Sequence, residues 1–258
     1  MPPLLDPDEP APARVAREGG RSAFLLTGDH AGRRIPRRLG NLGVAAADLE
    51  RHIAWDIGIG GVIDHLSEAL DAASIQQTWS RLVIDCNRDP SWPSAFPEVS
   101  EFTPIPGNAA LTEADRAART EAVFTPYHDR LTAMLDARQA SGRPTALVAM
   151  HSFTPVFKNE SRAMEVGVLY FRKTKLASLL LDLLRAEGDL TVGENAPYAL
   201  TGDSDYSVPF HAERRGLEHV EIEIRQDLIA SPEGQASWAA RFGRLLSAAL
   251  PGLAAVDA

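Results

Sequence analysis

The chain carries a single cysteine, Cys86, among 258 residues. No intramolecular disulfide can form and no thiolate zinc cluster can be built, so any metal site must draw on histidine and carboxylate. A core of this size needs no disulfide to staple it. No apolar run approaches the roughly 20 residues that cross a bilayer. The opening stretch, MPPLLDPDEPAPARVAREGG, lacks the charged-then-apolar order of a secretory signal. Rich in Pro and Ala, residues 1–20 read as a loosely ordered lead-in to one domain over 21–258, and a cytoplasmic protein is expected. Basic charge is also scarce: 26 Lys+Arg against 35 Asp+Glu leave a net charge of −9. That balance argues against sequence-independent nucleic-acid binding, which needs a basic face. A small anionic substrate remains open, because a few arginines inside one pocket set its local field whatever the total charge.

What is present is an ordinary globular composition, 45% hydrophobic and 24% charged, with no repeat period. Short aliphatic and β-branched runs predict strands over Ala23–Thr27, Ser74–Thr78, Leu82–Ile84, Ala146–Met150, Val166–Phe171 and Val220–Ile224. Helical spacing predicts helices over Ala47–Leu70, interrupted by Gly58, Gly60 and Gly61, over Leu111–Gln139 with a kink at Pro126, over Leu176–Glu187 ended by Gly188, and over Pro232–Leu250 begun by Ser231. Strands alternating with helices predict a single-domain α/β fold, a mixed sheet flanked by helices. Two long stretches, Asp89–Asn108 and Val192–Glu213, carry no clear element and read as lids over a site.

Four strand ends carry polar chemistry, the position where α/β proteins place their sites. His30 follows an apolar run inside GDHAG, whose glycines let a bound group approach the backbone. Alone it reads as a turn histidine with its ring in solvent. His151, at the end of a second apolar run, makes a metal shared by two strand ends the favoured reading. His52, His65 and His128 read as solvent-facing. In SRLVIDCNRDP, Asn87 and Arg88 suit a substrate carboxylate and Arg81 the polarisation of a substrate. A structural ion pair of Arg88 with Asp85 or Asp89 is the equal alternative. In HVEIEIRQDL, alternation puts Glu221, Glu223 and Arg225 on one face and Val220, Ile222 and Ile224 on the other. Such a face is either an exposed ladder or a carboxylate placed to act as general base.

Taken in order, GDHAGRRIP, WDIGIGG, SRLVIDCNRDP, MHSFTP and VEIEIRQDL, spread from Phe24 to Leu228, resemble the N-formylglutamate amidohydrolases, or N-formylglutamate deformylases. Any one piece is weak; the ordered set is specific. More distantly, the chain is similar to the zinc carboxypeptidases and aspartoacylase, which implies a zinc-carboxypeptidase-like (phosphorylase/hydrolase-like) fold. The resemblance implies a hydrolase of a linear amide that uses a divalent metal, zinc first, with N-formyl-L-glutamate as substrate and formate and L-glutamate as products. It implies metal ligation by His30 and His151, carboxylate binding by Asn87 and Arg88, carbonyl polarisation by Arg81, and Glu223 as base. One departure stands out: the distant group takes ligands from His-x-x-Glu, and here Arg33 occupies the fourth place. Asp56 is the first candidate for the missing ligand and Asp29 the second. A deacylase of another N-acyl amino acid or short peptide, and a non-catalytic amino-acid-binding relative, are the other readings.

Overall fold

In the computed structural model, which describes residues 3–200 and 205–254, the apolar runs assemble a seven-stranded sheet. In chain order the strands are β1 (Ala13–Ala16), β2 (Phe24–Gly28), β3 (Ala73–Gln77), β4 (Val99–Ser100), β5 (Thr103–Pro104), β6 (Ala146–Phe153), β7 (Val156–Phe157), β8 (Glu160–Ser161), β9 (Val166–Leu169), β10 (Val192–Glu194) and β11 (Glu218–Arg225). The sheet runs β1-β3-β2-β6-β11-β9-β10, with β4–β5 and β7–β8 as separate hairpins. The central strands β3, β2, β6 and β11 are parallel neighbours, while β1 and β9 join antiparallel. Every residue of β2, β3 and β6 is buried, as strands covered on both faces must be. The single-domain α/β fold with a mixed sheet is therefore as the sequence predicts.

The helices are α1 (Ala46–Leu49), α2 (Ile59–Leu70), α3 (Glu113–Arg119), α4 (Thr125–Ala140), α5 (Lys175–Glu187) and α6 (Pro232–Ala254). Alternation along the strands divides the core. Leu26, Val148 and Ile222 pack on one side with α2, α5 and α6. Leu25, Ile75 and Leu147 pack on the other with α4. Gly188, in the left-handed conformation, ends α5, and Ser231 Oγ accepts the Gly234 N–H at the start of α6.

Several expectations need correction. Leu82–Ile84 is not a strand. Leu82 and Val83 lie in a turn, and all three side chains are buried in two different clusters. Side chains replace the missing sheet partners: Asn108 donates to the Leu82 carbonyl and Arg119 to the Val83 carbonyl. An apolar run can thus be buried as a loop when its backbone is otherwise satisfied. The helix expected over Ala47–Leu70 is two helices, because the chain between α1 and α2 turns back to meet His30: Asp56 N–H donates to the His30 carbonyl at 2.9 Å. The helix expected over Leu111–Gln139 is interrupted just before Pro126 by a π-turn over Thr120–Phe124, which separates α3 from α4 and accommodates the proline's missing N–H. Inside the segment read as a loose lead-in, Ala13–Ala16 are ordered as the edge strand of the sheet, with Val15 against the second core cluster.

Gly58 opens α2 with φ +82°, and a Cβ there would lie 2.0 Å from the Ile229 carbonyl oxygen. Gly58→Ala should cost at least about 2 kcal/mol, through the left-handed conformation and the backbone clash together. Urea unfolding of the variant checks this. A change under about 0.5 kcal/mol, the scale of an ordinary surface substitution, would show that the turn has slack.

Candidate active site

The C-terminal ends of the parallel strands supply the site. Asp29 and His30 follow β2, His151 and Ser152 lie on β6, and Glu221 and Glu223 lie on β11, with Glu223 beside His151 in the parallel register. All six are buried. The loop between α1 and α2 brings Asp56 to the same point. Above them is a cavity of about 500 Å³ whose lining includes His30, Asp56, Arg81, Asn87, Arg88, His151, Glu221 and Glu223. The glycines of GDHAG serve packing instead of a ligand. A Cβ on Gly28 would meet Ile63, and one on Gly32 would meet the Thr78 backbone.

His30, Asp56 and His151 each offer an atom within 4.8 Å of the other two. Asp56 Oδ2 lies 3.1 Å from His151 Nδ1 and 3.7 Å from His30 Nδ1. Ligands about 2.0–2.1 Å from one tetrahedral ion are roughly 3.4 Å apart, so these separations fit a single metal. His30 Nε2 meets Asp85 Oδ1 at 2.7 Å. Burial works to raise the Asp85 carboxyl, but Arg81 and His30 hold it well below its usual range. Ionised Asp85 fixes the Nε2 side of the ring, and the buried Nδ1, which has no hydrogen-bond partner among the described residues, faces Asp56 and is the atom His30 can offer to the cluster. Burial likewise opposes ionisation of Asp56, and the charges of His30 and the hydrogen bond from His151 override it and lower the pKa. The donor set therefore fits a divalent cation such as zinc. Asp29, the second candidate, stands behind His151: Tyr127 Oη donates to its Oδ1, and its Oδ2 is 4.0 Å from His151 Nε2.

Arg81 spans two acids, donating to Asp85 Oδ2 at 2.6 Å and to Asp56 Oδ1 at 3.5 Å. Arg88 pairs with neither Asp85 nor Asp89. Its Nη1 reaches Asp205 at 3.3 Å and the Asn87 carbonyl at 2.8 Å. Asn87 Oδ1 accepts from the N–H groups of Tyr206 and Ser207, and its Nδ2 donates to Asp205. Asn87 thus pins the 205–207 loop against the cavity. Arg225, on the strand face of Glu223, turns away to Asp227 and the carbonyls of Ala163 and Met164.

Glu221 and Glu223 face the cavity while Val220, Ile222 and Ile224 enter the core, as alternation predicts. Burial pushes Glu223 well above the usual carboxyl range. His151 and Arg81 oppose the shift; Asp56 and Glu221 add to it. Burial also raises Glu221, to about 7. Sequence reading left several lining residues without a role: Glu221, Asp205, His52, Glu101, Lys158 and Tyr198. Glu221 was legible from the alternation; the others lie in loops whose paths no local pattern reports. Both stretches without predicted elements do border the cavity, through Val99–Glu101 and through Tyr198–Leu200 with Asp205.

The N-formylglutamate amidohydrolase family profile matches residues 22–230. The chain belongs to the N-formylglutamate amidohydrolase family. It is an amidohydrolase on that ground, with the family match covering every residue of the strand-end cluster. Among solved structures, gene product Atu2144 from Agrobacterium tumefaciens is similar at 41% identity, over 97% of this chain and 99% of that one, with a TM-score of 0.93. The N-formylglutamate amidohydrolase from Ralstonia eutropha JMP134 shares the fold at 21% identity, over 95% and 100%, with a TM-score of 0.68. No curated protein matches the sequence. Among the described residues no helix is long and apolar enough to cross a membrane.

Behind the site of this amidohydrolase, two histidines are buried as a neutral pair. His128, expected to face solvent, is only 4% exposed, and its Nδ1 meets His211 Nε2 at 2.9 Å. Phe124 and Tyr206 pack around it. Burial lowers His128 from 6.5 to about 4 and His211 from 6.5 to about 2. A depressed histidine contributes stability that is present above the unfolded pKa of 6.5 and is lost as pH falls toward the folded value. His128 alone should account for about 3 kcal/mol between those limits. Urea unfolding at pH 7 and pH 4 measures it. The loss on acidification should be smaller in His128→Phe/His211→Phe than in the parent, and an equal loss would remove the pair as its source.

Proposed function

We propose that this amidohydrolase hydrolyses the formyl amide of N-formyl-L-glutamate, giving formate and L-glutamate, with a divalent metal held by His30, Asp56 and His151. The observation that carries the proposal is the meeting, in one cavity, of that ligand set with Glu223 and Arg81. A metal bound there would supply Lewis-acid polarisation and lower the pKa of water from ~15.7 toward ~7. Glu223 takes the proton of the attacking water, a task suited to a carboxyl whose pKa is raised, and returns it to the departing amine nitrogen. The C–N bond breaks as the new C–O bond is retained in formate. Arg81 has N–H groups beyond those given to Asp56 and Asp85, and its fixed positive charge stabilises the oxygen that becomes negative. Arg88, with Asn87 beside it, binds the α-carboxylate through the donors that Asp205 leaves free. Asp85 orients His30 and Arg81 at once.

A second reading keeps the chemistry and changes the acyl amino acid. The cavity of about 500 Å³ exceeds what N-formylglutamate fills, and its rim adds Val99, Phe157, Tyr198 and Leu200, so a larger N-acyl amino acid or short peptide has room. A panel of N-acyl amino acids, with released formate measured against acetate, separates the two.

Glu223→Gln should lower kcat by about 10²–10⁴-fold with little change in substrate affinity; near-normal turnover would exclude Glu223 as the base. The purified protein should contain a divalent metal by elemental analysis and lose activity in chelator. Full activity after chelation would overturn the metal proposal. Asp85→Asn should weaken zinc binding by about 10–100-fold in a competition titration, because it releases the His30 ring. Unchanged affinity would limit Asp85 to its contact with Arg81.

A further inference from the structure

The β7–β8 hairpin overhangs the cavity. Its turn residues Lys158 and Asn159 have φ of +50° and +68°, the conformation that a two-residue hairpin turn requires. Phe157 and Lys158 both line the cavity, and Lys158 Nζ lies 5.4 Å from the centre of the Phe157 ring. The hairpin is fixed from two sides. The Lys158 backbone N–H donates to Glu101 Oε1 at 3.0 Å. The Arg162 guanidinium stacks on Phe157 at 4.6 Å and on Tyr198 at 4.8 Å, and donates to the Tyr198 hydroxyl.

Charge pairing singles out Lys158. Among the described residues, three lysine or arginine side chains line the cavity. Arg81 is held by Asp85 and Asp56, and Arg88 by Asp205. Among the described residues, no carboxylate forms an ion pair with Lys158. Glu101, which accepts its backbone N–H, gives its other oxygen to Arg51 at 2.5 Å and faces His52 at 3.6 Å. Asp56, Glu101 and Asp205 also line the cavity and disfavour a second anionic group away from a cation, which leaves Lys158 as the rim cation without a carboxylate partner among the described residues.

We propose that Lys158 is a specificity-determining residue that binds the distal carboxylate of the substrate and so separates the acidic side chain from its neutral isostere. This rests on the deformylase reading above. Arg88 and Asn87 take the α-carboxylate, and Lys158 takes the side-chain carboxylate from the rim. The ammonium is a point charge on a flexible stem, and its contact with Phe157 keeps that stem over the opening.

The test compares N-formyl-L-glutamate with its neutral isostere N-formyl-L-glutamine, on the parent enzyme, Lys158→Met and Lys158→Arg. Methionine keeps an apolar stem over Phe157 and removes only the charge. The parent should favour the glutamate substrate, and Lys158→Met should raise its KM by about 10-fold. In that variant kcat and the KM for the glutamine substrate should stay unchanged, and Lys158→Arg should restore the preference. An unchanged KM for N-formylglutamate in Lys158→Met, or a parent that does not distinguish the two substrates, overturns the role of Lys158 and leaves the deformylase reading standing. Absence of turnover of either substrate by the parent overturns the deformylase reading, and this role with it.

Discussion

The Asp56 carboxylate is the point at which four distant segments of the chain are tied together. Its Oδ2 meets His151 Nδ1 and the Ser152 N–H on β6, its Oδ1 meets Arg81, and its own N–H donates to the His30 carbonyl after β2. A buried carboxylate has no stable place in an apolar core unless its lone pairs are filled. Here they are filled by the residues that make the site. The requirement works in both directions. The His151 ring is positioned by the acid and the His30 ring by Asp85, and Asp56 stays ionised because the two imidazoles face it. Neither strand end would hold its ring in place alone. Gly58 then lets the chain leave Asp56 and enter α2 without a side chain colliding with Ile229.

Where one period governs a run of residues, the sequence was informative about the fold. The central strands read as continuous apolar runs because helices cover both faces of the sheet, and α5 and α6 show their stripes and caps plainly. Leu82–Ile84 misled because burial, not pairing, determines apolar composition. Those residues are buried, but Asn108 and Arg119 satisfy their carbonyls from elsewhere in the chain. β1 was hidden for the opposite reason. It is a four-residue edge strand that is only partly buried, so its composition resembles that of a loop.

The same division holds for the site. Residues at strand ends could be located because each follows an apolar run: His30, His151 and Glu223 all line the cavity. The link between Arg81 and Asp85 could not be weighed against a link between Arg88 and Asp85, because the two differ only in the path of a turn. Asp205, the partner that Arg88 has, lies 117 positions further along the chain, beyond the reach of any local pattern. His128 looked like a surface residue because its neighbours on α4 are polar. It is buried through contacts with the π-turn that carries His211, a pairing made only in three dimensions.

Among the described residues, five carboxyl groups and three lysine or arginine side chains share one cavity. That excess has a physical consequence for the two glutamates on β11. Their alternation turns both toward the acids, and burial in that company raises both. A raised carboxyl is poor as a permanent counterion and good as a proton carrier, so the crowding that would destabilise a structural acid suits a base. Two neighbouring acids are held as anions by specific partners: Asp85, beneath the cavity, by Arg81 and His30, and Asp56, in its lining, by the two imidazoles. The site therefore sorts its carboxyl groups by partner. Asp56 and Asp85, each bonded to a cationic partner, orient His30, His151 and Arg81, while Glu221 and Glu223 have no such bond among the described residues, which suits the proton transfer proposed for Glu223. Position on the strand decides which is which. Glu223 stands beside His151 in register but makes no hydrogen bond through its buried Oε2 among the described residues, which is the arrangement the proposed base requires and an anchored acid lacks.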